Sequence, residues 1–321
     1  MKNFIFIPDT NKAAGLGHLF RCYQYSNFIN NNYKIIFLIN KNFDTTCLIN
    51  KNASLIKINY IFFSDLKKTL NVLKNKNKKL YTFIDSYNKK LHSIDFSFYS
   101  IKHIAILDFK IQNNADFILD HTFKRKKNFY PIKSTNKTFI GLKNFPITRK
   151  IKLKKRNIIL INFGSIKNKN LISKFLIFIK NLNLDSSFKI IIINKFFNKK
   201  DLFKINMRNK VICYKFFENI DNIYEKLYFT IGACGISLYE KCFYHIPSIS
   251  KCVAKNQYFN FVNFLSSNCI LSFDQVMKID LQNPKNSKKI LTKIHKVENN
   301  LKKYFNYNKN KKHLNLFFKK L

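Results

Sequence analysis

Short runs of consecutive apolar residues alternate along this chain with stretches in which apolar positions recur every three or four residues. The runs at Phe4–Ile7, Lys34–Ile39, Leu55–Ile58, Leu80–Ile84, Ile104–Leu107, Phe117–Leu119 and Thr138–Ile140 read as strands covered on both faces, the pattern of a parallel sheet. Between them the helical period predicts helices over Leu19–Ile29, Phe43–Ile49 and Asp65–Lys74. The rhythm breaks at Gly141-Leu142-Lys143-Asn144-Phe145-Pro146, and the very basic stretch Arg149 to Arg156 follows. It then restarts. Asn157–Phe163, Phe188–Ile193, Val211–Tyr214, Phe229–Ile231, Ser248–Ser250 and Cys269–Leu271 are the second set of strands. Helices are expected at Leu171–Leu182, Ile220–Lys226, Ser237–Phe243, Gln257–Ser266 and in the basic tail from Ser287 onward. The expectation is an α/β protein of two doubly wound, Rossmann-type domains, residues 1–148 and 149–321, facing across a cleft. Such domains bind ligands at the carboxyl ends of their strands.

Composition narrows the class. The chain has 321 residues, enough for two domains, and is 46% hydrophobic and 16% aromatic, enough for sizeable cores. Its formal charge of +42 would ordinarily suggest a polyanion. The lysines, however, run the whole length beside abundant Asn, Ile, Phe and Tyr, as in a chain drifting toward AT-rich codons. With no zinc finger, basic zipper or aromatic–basic signature, no specific nucleic-acid partner is expected. Seven cysteines without C-x-x-C spacing suit reduced thiols in a cytoplasmic protein. Scattered histidines argue against a metal site. No apolar run approaches the ~18 residues that span a bilayer, so no membrane partner is expected, and the chain is read as a monomer.

The stretch Ala14-Gly15-Leu16-Gly17-His18-Leu19-Phe20-Arg21-Cys22 follows the first strand and opens the first helix. Gly15 and Gly17 allow a tight turn and close backbone approach, and the helix start is a seat for phosphate. His18 offers an imidazole, a group whose unperturbed pKa of ~6.5 suits a base at neutral pH. The structural alternative is a turn and a helix cap. In the second half, Asn162-Phe163-Gly164-Ser165 ends a strand, Gly164 admitting close approach and Ser165 offering a hydroxyl. Ile231-Gly232-Ala233-Cys234-Gly235-Ile236-Ser237-Leu238-Tyr239-Glu240 runs from strand through glycines into a helix. Glu240 suits either a capping box with Ser237 or the hydroxyls of a ribose. Asn256, beside Gln257, reads as an N-cap or as an amide aimed at a ligand.

Together, Gly15-Leu16-Gly17-His18 with Arg21-Cys22, Asp85-Ser86-Tyr87, Phe163-Gly164-Ser165, Gly232 to Glu240 and Asn256-Gln257 resemble the PseG/SpsG family of UDP-sugar hydrolases in pseudaminic acid biosynthesis. The resemblance runs from Phe4 to about Asn260. It implies a GT-B-like fold adapted to hydrolysis of the anomeric C–O bond of a UDP-2,4-diacetamido-2,4,6-trideoxyhexose, without cofactor or metal. By resemblance His18 is catalytic; Gly15, Gly17, Arg21, Asp85, Tyr87, Asn256 and Gln257 hold substrate; Gly164, Ser165, Gly235, Ile236, Ser237 and Glu240 hold UDP. Ile7 stands where the family often has Arg, Cys234 replaces a glycine, and Ser237 stands where Thr is common. The alternative function is a GT-B glycosyltransferase that uses the same donor and an acceptor hydroxyl in place of water.

Overall fold

The computed structural model describes the chain except residues 1, 11–16, 42–52, 59–62, 77–78, 112, 127, 131–136, 164–166, 168, 203–204, 216 and 218–219. The helix expected at Phe43–Ile49 lies outside the described residues. The chain forms two compact units, Met1–Thr148 with Asn308–Leu321, and Arg149–Tyr307.

In the first unit, β1 (Lys2–Pro8), α1 (Gly17–Ser26), β2 (Lys34–Asn40), β3 (Ala53–Ile58), α2 (Phe63–Lys76) and β4 (Lys79–Asp85) come first. They are followed by α3 (Lys89–His92), β5 (Lys102–Ile106), β6 (Phe117–Asp120) and β7 (Lys137–Ile140). The strands pair in parallel in the order β3-β2-β1-β4-β5-β6-β7. The order reverses between β1 and β4, and loops diverging from such a point leave a crevice for ligands. Side chains alternate across the sheet with the two-residue period of a strand. Phe4, Phe6, Phe37 and Phe83 pack with Leu19, Cys22 and Tyr25 of α1. Ile5, Ile7, Ile36 and Ile84 pack on the other face with Leu66 and Leu70 of α2.

The second unit repeats the winding. It contains β8 (Ile158–Asn162), α4 (Lys169–Asn181), β9 (Lys189–Ile193), β10 (Lys210–Tyr214), α5 (Asp221–Tyr224), β11 (Leu227–Ala233) and α6 (Ile236–Phe243). After these come β12 (Ser248–Lys251), α7 (Tyr258–Ser266), β13 (Leu271–Ser272), α8 (Phe273–Val276) and α9 (Pro284–Tyr304). The order is β10-β9-β8-β11-β12-β13, again all parallel, with its reversal between β8 and β11. Ile159 and Ile161 meet Phe175 and Ile179 of α4, while Ile158 and Leu160 meet Ile223 and Tyr224 of α5. Asn283 caps α9 by accepting from the Lys285 N–H at 3.0 Å, with Pro284 in the first turn.

One boundary differs from the sequence reading, which gives the whole tail to the second domain. The backbone turns extended at Phe305 (φ −108°, ψ 107°), and α10 (Tyr307–Lys320) joins the first unit. Leu314, Phe317 and Phe318 recur at helical spacing and complete the core beneath β1 and β4, Phe318 stacking 5.6 Å from Phe83. Asn310 fixes the helix by donating to the carbonyls of Leu142 (2.9 Å) and Phe145 (2.8 Å). Burying a large apolar side chain is worth roughly 1.5–3 kcal/mol, and three are buried here. Among the described residues, no helix is long and apolar enough to cross a membrane.

Candidate functional site

At the reversal of the first sheet, β4 ends in Asp85, which is fully buried. α1 brings His18 and Arg21 to it from one face of the helix, three residues apart. Arg21 Nε donates to Asp85 Oδ2 at 2.5 Å, its Nη2 to Oδ1, and its Nη1 to Asp108 Oδ2 at 3.0 Å. His18 Nδ1 stands 2.5 Å from Asp85 Oδ1. An ionised carboxylate only accepts, so Nδ1 is the donor in this contact and Nε2 is the ring nitrogen that Asp85 does not engage. Tyr87 meets the His18 ring edge-on, 4.6 Å between centroids, and donates to Asp108 Oδ2 at 3.4 Å. Beneath them the Asp9 N–H donates to the Asp85 carbonyl (2.7 Å) and Ser86 Oγ to Asp9 Oδ2 (2.9 Å), tying the ends of β1 and β4 together.

Burial alone would discourage ionisation of Asp85, but the Arg21 and His18 charges and hydrogen bonds overcome it and hold the carboxyl at about 2. Asp108 is likewise held low, Arg21 outweighing burial. Other histidines of this unit have a different character. Burial first, then His92, pushes His103 down to about 3. Burial first, then Arg21, does the same to His121. His92 is also lowered by burial, and its Nε2 lies 2.8 Å from the Ser86 carbonyl.

At the second reversal, β11 runs through Gly232 and Ala233 into α6. A Cβ on Gly232 would stand 2.5 Å from the Asn162 carbonyl oxygen, so only glycine fits between β8 and β11 here. Gly235 caps α6 in extended conformation (φ −84°, ψ −165°) with no side-chain acceptor. A capping box needs Ser237 at that cap. The structure instead makes Ser237 the second helical residue, so the box between Ser237 and Glu240 does not form. Glu240 is half-buried, and its charge, after burial, raises the Tyr224 and Tyr244 hydroxyls. Gln257 comes to Gly235: its Nε2 is 3.8 Å from where a Cβ would lie. Asn256 is exposed on the short turn Lys255–Gln257, whose cap is Ala254, so it is not the N-cap.

No sequence-family model matches the chain, and no curated protein matches it in sequence. Solved structures do. MurG of Acinetobacter baumannii superposes with a TM-score of 0.65 at 12% identity, covering 100% of this chain and 99% of that one. UGT2 of Phytolacca americana, solved with UDP-2-fluoro-glucose and pterostilbene, gives 0.66 at 12% identity over 100% and 99%. A UGT transferase from Siraitia grosvenorii, in complex with UDP, gives 0.62 at 10% identity over 100% and 99%. The chain has the GT-B fold.

Within this GT-B chain the structure gathers Gly17, His18, Arg21, Asp85 and Tyr87 at one strand reversal, and Gly235, Ile236, Ser237, Glu240 and Gln257 around the other. Gly15, Gly164 and Ser165 lie outside the described residues. Asp108 was missed. Its signal was present: β4, β5 and β6 each run into an aspartate (Asp85, Asp108, Asp120), in a chain with only 17 acidic residues. Lys241 was missed as well, a lysine among 59 basic residues yet 1% exposed. The six described cysteines are free thiols. Among the described residues, no group of three His, Cys, Asp or Glu is placed to hold a metal.

Proposed function

We propose that this chain is an enzyme that breaks the anomeric bond of a UDP-sugar, passing the sugar to a hydroxyl acceptor with His18 as general base. One observation carries the reading: the 2.5 Å contact of His18 Nδ1 with the buried Asp85 carboxylate, at the strand reversal where such sheets bind ligands. With Nδ1 committed to Asp85, Nε2 takes the proton as the nucleophile's oxygen bonds to the anomeric carbon. The C–O bond to UDP then breaks, its electron pair leaving with the diphosphate. The Asp85 charge stabilises the imidazolium that forms, and a positioned base of this kind supplies ~10²–10⁴-fold.

Two fold neighbours solved with UDP or a UDP-sugar analogue favour the donor, as does the uncapped start of α6, whose N–H groups suit a diphosphate. Glu240 would accept from the ribose hydroxyls, and Arg21, Asp108 and Tyr87 would position the base and the sugar.

A second reading replaces the acceptor by water. It is favoured by the Gly-Leu-Gly-His, Asp-Ser-Tyr and Gly232–Glu240 motifs, which resemble the PseG/SpsG hydrolases of UDP-diacetamido sugars. The test is turnover of UDP-glucose and of UDP-2,4-diacetamido-2,4,6-trideoxyhexoses, with and without an alcohol acceptor, in ¹⁸O-labelled water. UDP release that requires acceptor supports transfer. Stoichiometric release without acceptor, with the label in the sugar, supports hydrolysis. Label in UDP, or no release from any UDP-sugar, overturns both.

A further inference from the structure

Lys241 lies in the last turn of α6, where a lysine ordinarily reaches outward to the final carbonyls of its helix. This one does the reverse. It is 1% exposed, and its Nζ stands 3.5 Å from where a Cβ of Gly232 would be. The side chain therefore runs back beneath the helix toward its N-terminus, the direction in which helical Cα–Cβ bonds tilt. It ends beside the carboxyl ends of β8 and β11, where Gly232 pairs with Asn162. No hydrogen bond or ion pair joins that ammonium to a described residue, and burial lowers its pKa to about 8. The titratable groups acting on it are Glu240 and Cys242 on its own helix and Cys234 at the end of β11. Both thiols are buried and raised, Cys234 to about 12, so they stay neutral.

A buried charge without a partner is costly. Here it lies under the end of a helix that already favours anions, next to a strand end so closely packed that only glycine fits. We propose that Lys241 is the buried cation of an anion site at the start of α6, and that its ligand is the diphosphate of a nucleoside diphosphate. Backbone N–H groups of Ile236 and Ser237 meet the phosphates from the helix start, and the Lys241 ammonium meets them from beneath. This rests on the UDP reading of α6 but adds a residue and a charge to it.

The test is calorimetric titration of the wild-type protein and of Lys241→Met with UDP, ADP, pyrophosphate and uridine between pH 7 and 9. The expected result is a roughly 10- to 100-fold loss of UDP affinity in Lys241→Met, the range for a charge-assisted hydrogen bond, with uridine bound equally by both. Wild-type affinity for UDP should fall relative to Lys241→Met as pH rises past 8. Wild-type protein that binds UDP with Lys241→Met equal to it and no pH difference between them would overturn the assignment and leave the UDP reading standing. Tight, Lys241-dependent binding of ADP or pyrophosphate without UDP preference would keep the anion site and overturn the uridine specificity. Should Lys241→Met fail to fold, a wild-type affinity for pyrophosphate that is flat between pH 7 and 9 overturns the proposal by itself.

Discussion

Asp85 ends β4 in the first unit; Gly232 and Ala233 end β11, its counterpart in the second. The two sheets wind in the same order over six strands, the first adding a seventh at its edge, yet the two reversals hold opposite chemistry. The first packs carboxylates, a guanidinium and an imidazole into one buried network. The second offers glycine, hydroxyl and backbone N–H, with the Lys241 ammonium buried beside Gly232. Under the proposed function one winding would serve two tasks: a proton acceptor held by charge at the first reversal, and a diphosphate met by backbone N–H groups at the second. The difference lies in which residue type ends the fourth strand of each sheet, not in the topology.

Acid should break the comparison most sharply. His103 and His121 remain neutral in the folded state down to about pH 3, while in the unfolded chain they protonate near ~6.5. The unfolded state binds more protons across that interval, so stability falls as pH drops from ~6.5 toward 3. Asp85 adds to this, its contribution complete above ~4 and lost toward about 2. The second unit has no such buried pair of histidines; its Lys241, lowered to about 8, makes stability rise instead as pH climbs above 8. Calorimetry at pH 7, 5 and 4 should show the first unit lose on the order of 5 kcal/mol and melt as a separate, earlier transition. A single transition moving little over that range would mean the buried histidines titrate normally.

Next in size is Asp85→Asn. It removes the charge and one of the two oxygens on which Arg21 and His18 converge, leaves the buried guanidinium with Asp108 as its anionic partner in this network, and should cost about 3–5 kcal/mol in denaturant unfolding. A loss below 1 kcal/mol would mean that the network is not closed as described.

Much of this was legible in the sequence. Apolar runs located the strands because both faces of a parallel sheet are buried, and the longer helices followed from their period. Less legible was everything that depends on partners distant in the chain. His18 and Arg21 meet Asp85 across more than sixty residues, a pairing no local pattern contains, although aspartates at successive strand ends pointed to it. The tail could not be divided by eye, since Phe305 and Asn306 carry neither proline nor glycine to mark the break between α9 and α10. Lys241 was hidden by abundance: where lysine decorates every exposed face, the buried one looks like the rest.

His18→Asn sharpens the functional side of the comparison. It keeps a hydrogen-bonding group toward Asp85 but no base, so kcat should fall by at least ~10² while UDP binding, which the proposed function assigns to the other unit, changes only a few-fold. Steady-state kinetics beside calorimetric UDP titration separate the two effects. Near-normal turnover would remove His18 from the chemistry.

The smallest effect comes from a methyl group placed at either end of the turn before α6. At Gly232 that methyl meets the Asn162 carbonyl at 2.5 Å; backbone must move, and Gly232→Ala should cost about 1–3 kcal/mol whatever the ligand. At Gly235 the backbone is extended and the nearest atom, Gln257 Nε2, is 3.8 Å away, an ordinary contact. Gly235→Ala should therefore leave thermal stability within about 0.5 kcal/mol. Its effect should appear only with ligand present, because a phosphate drawn against the first N–H groups of α6 must pass where the new methyl stands. A roughly tenfold loss of UDP affinity at unchanged melting temperature is the expected outcome. Unchanged affinity would mean that the diphosphate does not approach Gly235, and that this glycine serves the turn alone.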